Sequence, residues 1–355
     1  MHMLSPGLAL AAIAALALPA LAQGTTVILP ADADSTLYED ATGGLANGGG
    51  GHIFAGLTGG AGRRRALVRF DVAAAVPAGA HIVAVELRLN VNRTIFASPL
   101  PMDVHRVITQ WNEGTTAAFG QEGAGGPAAA GDVTWIHTNF PSALWNRAGG
   151  DINPQKSATG VTPINGPAIW SSTTALVADV QGWLDNPATN FGWMVKSDEQ
   201  VSLAARRFDS RTSLVAANRP ALEILYTLPG QWASVGAGCG TSSASLVVAG
   251  VPATASSFSL ILLGTTPGAL AANFYSLALA QPGLDLASGC VLQLDPFVTT
   301  TPGFGVLDGG GQRVDILSVP ASPVFVGVEV AAQGAIAEPS PLGFGLSNAI
   351  LAVIQ

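Results

Sequence analysis

The sequence predicts an all-β protein with two β-sandwich domains, and three observations support this class. The 355 residues include 43 glycines and 23 prolines, residue types that mark many turns. Hydrophobic residues make up 48% of the chain and charged residues 11%, which supplies apolar side chains for large cores and excludes ordinary disorder. Several segments alternate apolar and polar residues, as half-buried antiparallel strands do.

The first element that the sequence predicts is an export signal at residues 1–22. Leu8 to Leu18 is an unbroken apolar run too short to span a bilayer, and Ala20-Leu21-Ala22 then gives the small-x-small pattern of a cleavage site. The alternative is a buried N-terminal helix, which Pro19 would end at once. No later segment has the length and hydrophobicity of a membrane helix, so we expect a mature protein that is secreted or held at the cell surface.

The charge pattern divides the mature chain into two domains, residues 23–229 and 230–355. Residues 23–230 contain 14 lysines and arginines, whereas the residues that follow contain only Arg313. The boundary falls at Leu228-Pro229-Gly230, and Pro-Gly punctuation beside a change in composition is typical of a domain linker.

The first domain contains the clearest strands and one helical segment. His81–Val91 alternates apolar and polar residues over its whole length, which predicts a strand with one buried face. In Thr173–Leu184 the apolar residues recur at helical spacing instead, and Thr173 or Thr174 can cap the start of that helix.

The second domain contains short apolar segments separated by Pro and Gly, such as Ser257–Leu263 and Val291–Leu294, and this pattern predicts a second sandwich. Both cysteines of the chain, Cys239 and Cys290, lie in this domain. In the oxidising compartment that export implies, a disulfide between them would close a loop of about fifty residues and stabilise the fold by about 4 kcal/mol. Two buried thiols are the alternative.

A set of motifs runs in order through the first domain: Ala31–Thr36, Arg65–Asp71, Trp111-Asn112-Glu113, Val180-Gln181-Gly182-Trp183 and Phe208-Asp209-Ser210-Arg211. Together they resemble the DNRLRE domain, which is grouped with family 96 carbohydrate-binding modules. The resemblance implies a jelly-roll-like β-sandwich on a secreted or cell-surface protein, and polysaccharide binding that in some members includes alginate. The sequence departs from the family in the long Gly- and Ala-rich loop between Trp111 and Trp135, and in Thr212, where the family often has Glu. These departures affect the expected ligand more than the expected fold.

The second domain is similar to a C-terminal module found on exported proteins of planctomycetes and similar bacteria. The matching pieces are Gly238-Cys239-Gly240, Gly289-Cys290 and Leu346-Ser347-Asn348-Ala349. That module has no established activity, and its near lack of charge fits a structural or surface-retention role.

The side chains of the first domain suit the binding of a sugar polymer. A sugar ring offers an apolar face to an aromatic side chain, and a uronate carboxylate matches the bidentate fork of arginine. The candidate ligand contacts are Arg63, Arg64, Arg88, Arg93, Arg106, Arg206, Arg207 and Arg211, with Trp145 and Trp170 as candidate platforms because they stand in polar or Gly/Pro-rich segments. We expect Trp135, Trp183 and Trp193 in the core, and Arg69 in an internal ion pair.

A structural calcium ion is the one cofactor that the sequence suggests. Many jelly-roll binding modules hold calcium, and this hard cation prefers carboxylate and carbonyl oxygens. Asp32 and Asp34 open the first motif and Asp209 lies near the last, so these three are the candidate ligands. The spacing of an EF-hand is absent, which favours a structural role for the ion.

The sequence lacks the common patterns of catalysis and of nucleic-acid binding. A formal net charge of −8 disfavours a surface for phosphates, and the chain has no Cys/His cluster, GxSxG elbow or HExxH spacing. Glu113 and Asp132 lie in loops near tryptophans, so a polysaccharide-cleaving enzyme is one hypothesis. The leading hypothesis is a non-catalytic protein that binds polysaccharide, and the other alternative is a structural or adhesive envelope protein without sugar affinity.

Overall fold

The structure is a computed structural model that describes residues 23–297 and 299–355, so the predicted export signal lies outside the described residues. Strands account for 45% of the residues and helices for 8%, which confirms the all-β fold. Within the described ranges, no helix has the length and hydrophobicity needed to cross a membrane.

Fifteen strands and two α-helices lie in the described part of the first domain. The strands are β1 (Thr25–Pro30), β2 (Ala33–Tyr38), β3 (Leu45–Ala46), β4 (His52–Leu57), β5 (Arg63–Arg69), β6 (His81–Arg93), β7 (Leu100–Arg106), β8 (Gly126–Pro127), β9 (His137–Asn139), β10 (Ala143–Leu144), β11 (Ala158–Thr162), β12 (Gly166–Trp170), β13 (Trp193–Lys196), β14 (Arg206–Asp209) and β15 (Ala221–Thr227). Helix α1 (Val72–Ala75) follows β5, and helix α2 (Thr174–Asp185) follows β12.

The main strands of this domain form two facing sheets joined at a corner. One sheet has the order β1-β15-β6-β14-β4, with β12 also paired to β6, and the other has the order β2-β5-β13-β7-β11. Strand β4 belongs to both, because its first four residues pair with β14 whereas Gly56 and Leu57 pair with β5. Gly56 has a φ of 115°, and a Cβ there would lie 2.9 Å from the Ala204 carbonyl oxygen. The corner therefore requires glycine.

The core between these sheets is apolar and includes three fully buried tryptophans, Trp170, Trp183 and Trp193. The ring centroids of Trp183 and Trp193 are 4.5 Å apart, and the Trp193 indole donates a hydrogen bond to Asp179 at 2.8 Å. Trp135 is also buried, in an adjoining apolar cluster. The prediction that Trp135, Trp183 and Trp193 are core residues is confirmed.

Helix α2 covers part of this core with the apolar face that the sequence predicts. Leu176, Val180 and Trp183 are buried, and the Thr173 hydroxyl accepts a hydrogen bond from the Leu176 backbone N–H at 3.0 Å. Thr173 is thus the N-cap, whereas the Thr174 side chain is exposed and donates to the Gln281 carbonyl at 3.2 Å.

The second domain contains ten strands within the described residues. They are β16 (Trp232–Val235), β17 (Ser245–Ala249), β18 (Ser257–Leu263), β19 (Leu270–Ser276), β20 (Leu279–Asp285), β21 (Val291–Leu294), β22 (Thr299–Val306), β23 (Gln312–Ser318), β24 (Glu329–Ala337) and β25 (Phe344–Val353). A sheet of order β16-β25-β24-β19-β22 faces a sheet of order β17-β18-β23, and β20 pairs with β21 as a separate ribbon. Phe258, Leu262, Ile336 and Ile350 are buried between the two sheets.

The predicted disulfide is present and joins Cys239 to Cys290. It connects the loop after β16 to the start of β21, across 51 residues of sequence. The alternative of two buried thiols is therefore wrong.

The two domains share an apolar wall. Val83 of β6 packs in one buried cluster with Ala233, Ala331 and Leu351 of the second domain. Polar contacts border this cluster, since Gln281 donates to the Val83 carbonyl at 2.5 Å and also bonds the Ser172 hydroxyl. At the edge, His81 Nδ1 lies 3.1 Å from Glu329.

Replacing Thr173 with alanine should lower the free energy of unfolding by about 1 kcal/mol, because the Leu176 N–H loses its cap. Urea unfolding followed by circular dichroism measures this change. Thr174→Ala is the matched control, since its neighbouring hydroxyl does not cap the helix. Equal losses in the two variants would contradict the assignment of Thr173 as the cap.

Candidate functional site

Three of the predicted arginines meet in one groove at the rim of the first domain, which we call the arginine groove. Arg64 lies on β5, Arg93 ends β6, and Arg207 lies on β14 directly opposite Arg93. The groove has a volume of about 210 Å³, and its other lining residues include Phe54, Thr94, Ile95 and Gln121. The β4 corner positions it, because that corner brings the ends of β5 and β14 to the same rim.

The three guanidinium groups of the arginine groove are held by neutral oxygens and not by carboxylates. Gln121 Oε1 accepts hydrogen bonds from Nη1 of both Arg93 and Arg207 at 2.6 Å, and Asn92 accepts from Arg207 Nε at 2.7 Å. Arg64 donates to the Gly123 carbonyl at 3.1 Å and lies over a tyrosine ring. Within the described chain, none of the three forms an ion pair, and Nη2 of each makes no hydrogen bond. Their positive charge and several N–H donors therefore face the groove.

Electrostatic repulsion and burial both act on these arginines. Burial lowers the pKa of the Arg207 guanidinium and the nearby charge of Arg93 lowers it further, while the carboxylates of Glu122 and Asp209 oppose this shift without bonding to Arg207. Burial likewise lowers the pKa of Arg64. Arginine keeps its proton at physiological pH despite such shifts. The charged guanidinium groups of Arg93 and Arg207 therefore repel each other, and a bound anion would reduce this repulsion.

A turn at residues 119–122 closes one side of the arginine groove, and Glu122 anchors it. The Glu122 carboxylate accepts hydrogen bonds from Asn47 Nδ2 and from the His52 backbone N–H, and it lies 2.9 Å from His52 Nδ1. The Glu122 carbonyl accepts a further bond from the Tyr38 hydroxyl at 2.9 Å. The turn therefore holds Gln121 against the arginines. Sequence reasoning missed this turn, because its Gly- and Ala-rich surroundings indicate only a loop.

Four of the other candidate arginines pair with carboxylates outside the arginine groove. The pairs are Arg63 with Glu39 and Glu199, Arg88 with Glu86 and Glu223, Arg106 with Asp179, and Arg211 with Glu113. Their positive charge is largely compensated within the protein, so these residues offer an anion less than the groove does. The predicted internal pair of Arg69 is confirmed, with Asp32 at 2.7 Å.

The prediction that Arg206 contacts a ligand is wrong. Successive residues of a strand point to opposite faces, so Arg206 faces inward beside the groove residue Arg207. Arg206 is fully buried, and its guanidinium donates to the Thr94 hydroxyl at 2.6 Å and to the Ser98 carbonyl at 2.5 Å. It holds the loop that follows β6 in place.

The prediction of Trp145 and Trp170 as stacking platforms is also wrong, because both are buried. Trp170 is 0% exposed and its indole donates to the Met102 carbonyl at 2.9 Å. Trp145 is 5% exposed and donates to the Thr134 carbonyl at 3.0 Å. A ring without an exposed face cannot stack on a sugar.

The three predicted calcium ligands do not come together. Asp32 pairs with Arg69, Asp34 accepts from the Arg211 backbone N–H at 2.6 Å, and Asp209 accepts from Asn90 and Ser213. The described residues contain no group of three acidic, histidine or cysteine side chains with the geometry of a metal site. Each of the three carboxylates thus has a partner within the protein, and a bound calcium ion stays a prediction.

Residues of these motifs meet instead in a cluster in which the buried Asp34 lies beside the partly exposed ion pair of Glu113 and Arg211. The Arg211 guanidinium binds both oxygens of Glu113, and Glu113 also accepts from the Asp34 backbone N–H at 2.9 Å. Burial raises the pKa of the Asp34 carboxyl to about 7. This cluster ties β2, the loop after β7 and the segment after β14 together.

Asp132, the second carboxylate of the enzyme hypothesis, is also engaged inside the protein. It is fully buried and accepts hydrogen bonds from the backbone N–H groups of Thr115, Thr116 and Ala129. Both carboxylates of the hypothetical pair, Glu113 and Asp132, therefore have structural partners.

Three larger cavities of the described chain differ from the arginine groove in their chemistry. A groove of about 510 Å³ contains Arg88, which two glutamates already neutralise. A groove of about 580 Å³ contains Arg65 and Asp151, and Arg65 pairs with Glu199. A pocket of about 340 Å³ in the second domain is lined almost entirely by apolar side chains. Each of these two grooves also holds one arginine without a carboxylate partner among the described residues, Arg219 and Arg147 respectively, whereas the arginine groove brings three such arginines together.

Comparison with known proteins gives no further assignment. No family model matches the chain, and no curated protein matches it. The resemblance to DNRLRE domains therefore stays a prediction that rests on the motifs quoted above.

The Asp34 carboxyl should make stability depend on pH. Its pKa is raised by burial, so the folded state holds this proton more tightly than the unfolded chain does. The resulting stabilisation is complete below about pH 4 and is lost as pH rises to about 7. Asp34→Asn keeps the side chain neutral at every pH. Between pH 4 and pH 8, the free energy of unfolding of the variant should therefore rise relative to that of the wild type by on the order of 1 to 4 kcal/mol.

Urea unfolding of both proteins at pH 4, 6 and 8 measures this difference. The pH 4 comparison is the internal control, because the wild-type side chain is then also neutral in the folded state. A difference between the two proteins that does not change with pH would show that Asp34 is ionised in the folded state throughout.

Proposed function

We propose that this protein binds an acidic polysaccharide through the arginine groove of its first domain, without cleaving it, outside the cell or at the cell surface. The observation that carries the proposal is the uncompensated charge of Arg64, Arg93 and Arg207. These side chains share one groove and are held by neutral acceptors.

The placement of Arg93 opposite Arg207 supports a role in binding an anion. Like charges directly opposite each other on paired strands destabilise a sheet. Seven other arginines of the described chain pair with carboxylates, but Arg93 and Arg207 share the Gln121 amide oxygen and Asn92 accepts a further bond from Arg207. An anionic ligand in the groove would supply the missing negative charge.

A uronate carboxylate matches the donors that the arginine groove leaves open. Each Nη2 group offers N–H donors, and guanidinium forms strong, directional bonds with carboxylate oxygens. Because Gln121 and Asn92 already orient the guanidinium groups, little side-chain freedom is lost when the ligand binds. The groove is open at a domain rim, which suits a long polymer that passes through it.

The setting of the protein agrees with an extracellular ligand. The disulfide between Cys239 and Cys290 is compatible with an oxidising compartment, and the predicted export signal would deliver the chain there.

Arg93→Gln and Arg207→Gln should each weaken binding to a polyuronate such as alginate by about 5- to 30-fold, since each removes a charge-assisted contact worth roughly 1 to 2 kcal/mol. The double variant should lose more, and its binding should depend less on salt. Affinity electrophoresis in alginate gels and titration calorimetry at two salt concentrations measure these effects.

Arg88→Gln is the matched control, because Arg88 is a half-exposed arginine on the same strand as Arg93 but is neutralised by two glutamates. Its affinity should stay near that of the wild type. Wild-type protein that binds no polyuronate, pectate or sulfated polysaccharide would overturn the proposal and favour the structural envelope protein. An equal loss of affinity in Arg88→Gln would show that the arginine groove is not the binding site.

A further inference from the structure

An exposed aromatic ring stands beside the arginine groove in the turn that supplies Gln121. Phe119 is 95% exposed, and it is the only strongly exposed aromatic side chain among residues 23–230 of the described chain. The six tryptophans of that domain are all buried. Among the described aromatic side chains of this domain, Phe119 therefore offers a sugar the most exposed ring.

The backbone on both sides of Phe119 is fixed. The Ala118 N–H donates to Asn47 Oδ1 at 2.8 Å, and the Glu122 N–H donates to the Phe119 carbonyl at 3.2 Å. Glu122 is in turn held by His52. A single exposed phenylalanine is ordinary on a protein surface. A phenylalanine displayed by a turn with anchors at both ends is pre-organised for contact.

The turn that carries Phe119 also carries Gln121, a lining residue of the groove. Gln121, which accepts from both Arg93 and Arg207, lies two residues after Phe119, so the two Cα atoms are at most about 7 Å apart. One rigid turn thus supplies both an apolar ring and the acceptor that orients the guanidinium pair.

We infer that Phe119 is the stacking platform of the arginine groove, and that its ligand is a polymer of pyranose rings carrying carboxylates. This inference rests on the proposed function and deepens it. The apolar face of one sugar ring packs on Phe119 while a carboxylate of the polymer meets Arg93 and Arg207. Polyanions without ring faces, such as polyphosphate, contact only the arginines. Phe119 therefore determines which anionic polymer is preferred.

The test compares two ligands, alginate and polyphosphate, at the same ionic strength. Phe119→Ala should weaken alginate binding by about 3- to 10-fold and leave polyphosphate binding unchanged. Phe119→Trp keeps an aromatic ring at this position, so its affinity for alginate should match or exceed that of the wild type. Phe297→Ala is the matched control, because Phe297 is 94% exposed but lies in the second domain. Its affinity for both ligands should match that of the wild type.

The outcomes separate this inference from the proposed function. If the wild type binds alginate and Phe119→Ala binds it equally well, the platform is wrong while the arginine groove stands. An equal loss of both ligands in Phe119→Ala would also overturn the platform, because ring stacking acts on the sugar alone. If the wild type retains neither ligand, the proposed function itself fails.

Discussion

The backbone pairing of strand β6 is the constraint on which the rest of the structure depends. Its thirteen residues pair with β15, β12 and β14, and each part of the strand serves a different region. Val83 packs in the wall between the domains, Leu87 and Leu89 fill the core of the first sandwich, and Arg93 reaches the groove at the far end. A slip of one residue in its register would turn every one of these side chains to the wrong face.

The chemistry of the groove follows from which charges the fold neutralises and which it leaves alone. Six of the twelve arginines of the first domain pair with a carboxylate, as Arg211 pairs with Glu113. At the rim, amide oxygens take that place, and an amide satisfies N–H donors without cancelling charge. The protein as a whole is acidic, so its attraction for an anion is local and short-ranged under physiological salt.

The sequence predicted the parts of the fold that depend on local pattern. Alternation located β6, helical spacing located α2, and the two cysteines formed the expected disulfide. It failed where partners lie far apart along the chain, since nothing local shows that Arg211 meets Glu113, 98 residues away, while Arg207 meets no carboxylate. Trp170 follows Gly166-Pro167 in the sequence, a pattern that indicates a loop. The pairing of β12 with β6 instead directs its side chain into the core. The turn that presents Phe119 could not be recognised because its anchor, Glu122, is buried by contacts with distant residues.

The apolar wall around Val83, Ala233 and Leu351 has a consequence for how such a chain can evolve. Many extracellular modules recombine as independently folded domains, since each buries its own apolar side chains. Here the replacement of either domain by an unrelated module would expose the apolar side chains of the other domain and remove the bond between Gln281 and the Val83 carbonyl. The two halves should consequently be inherited as one unit, and substitutions along the wall should be matched by changes on the facing side.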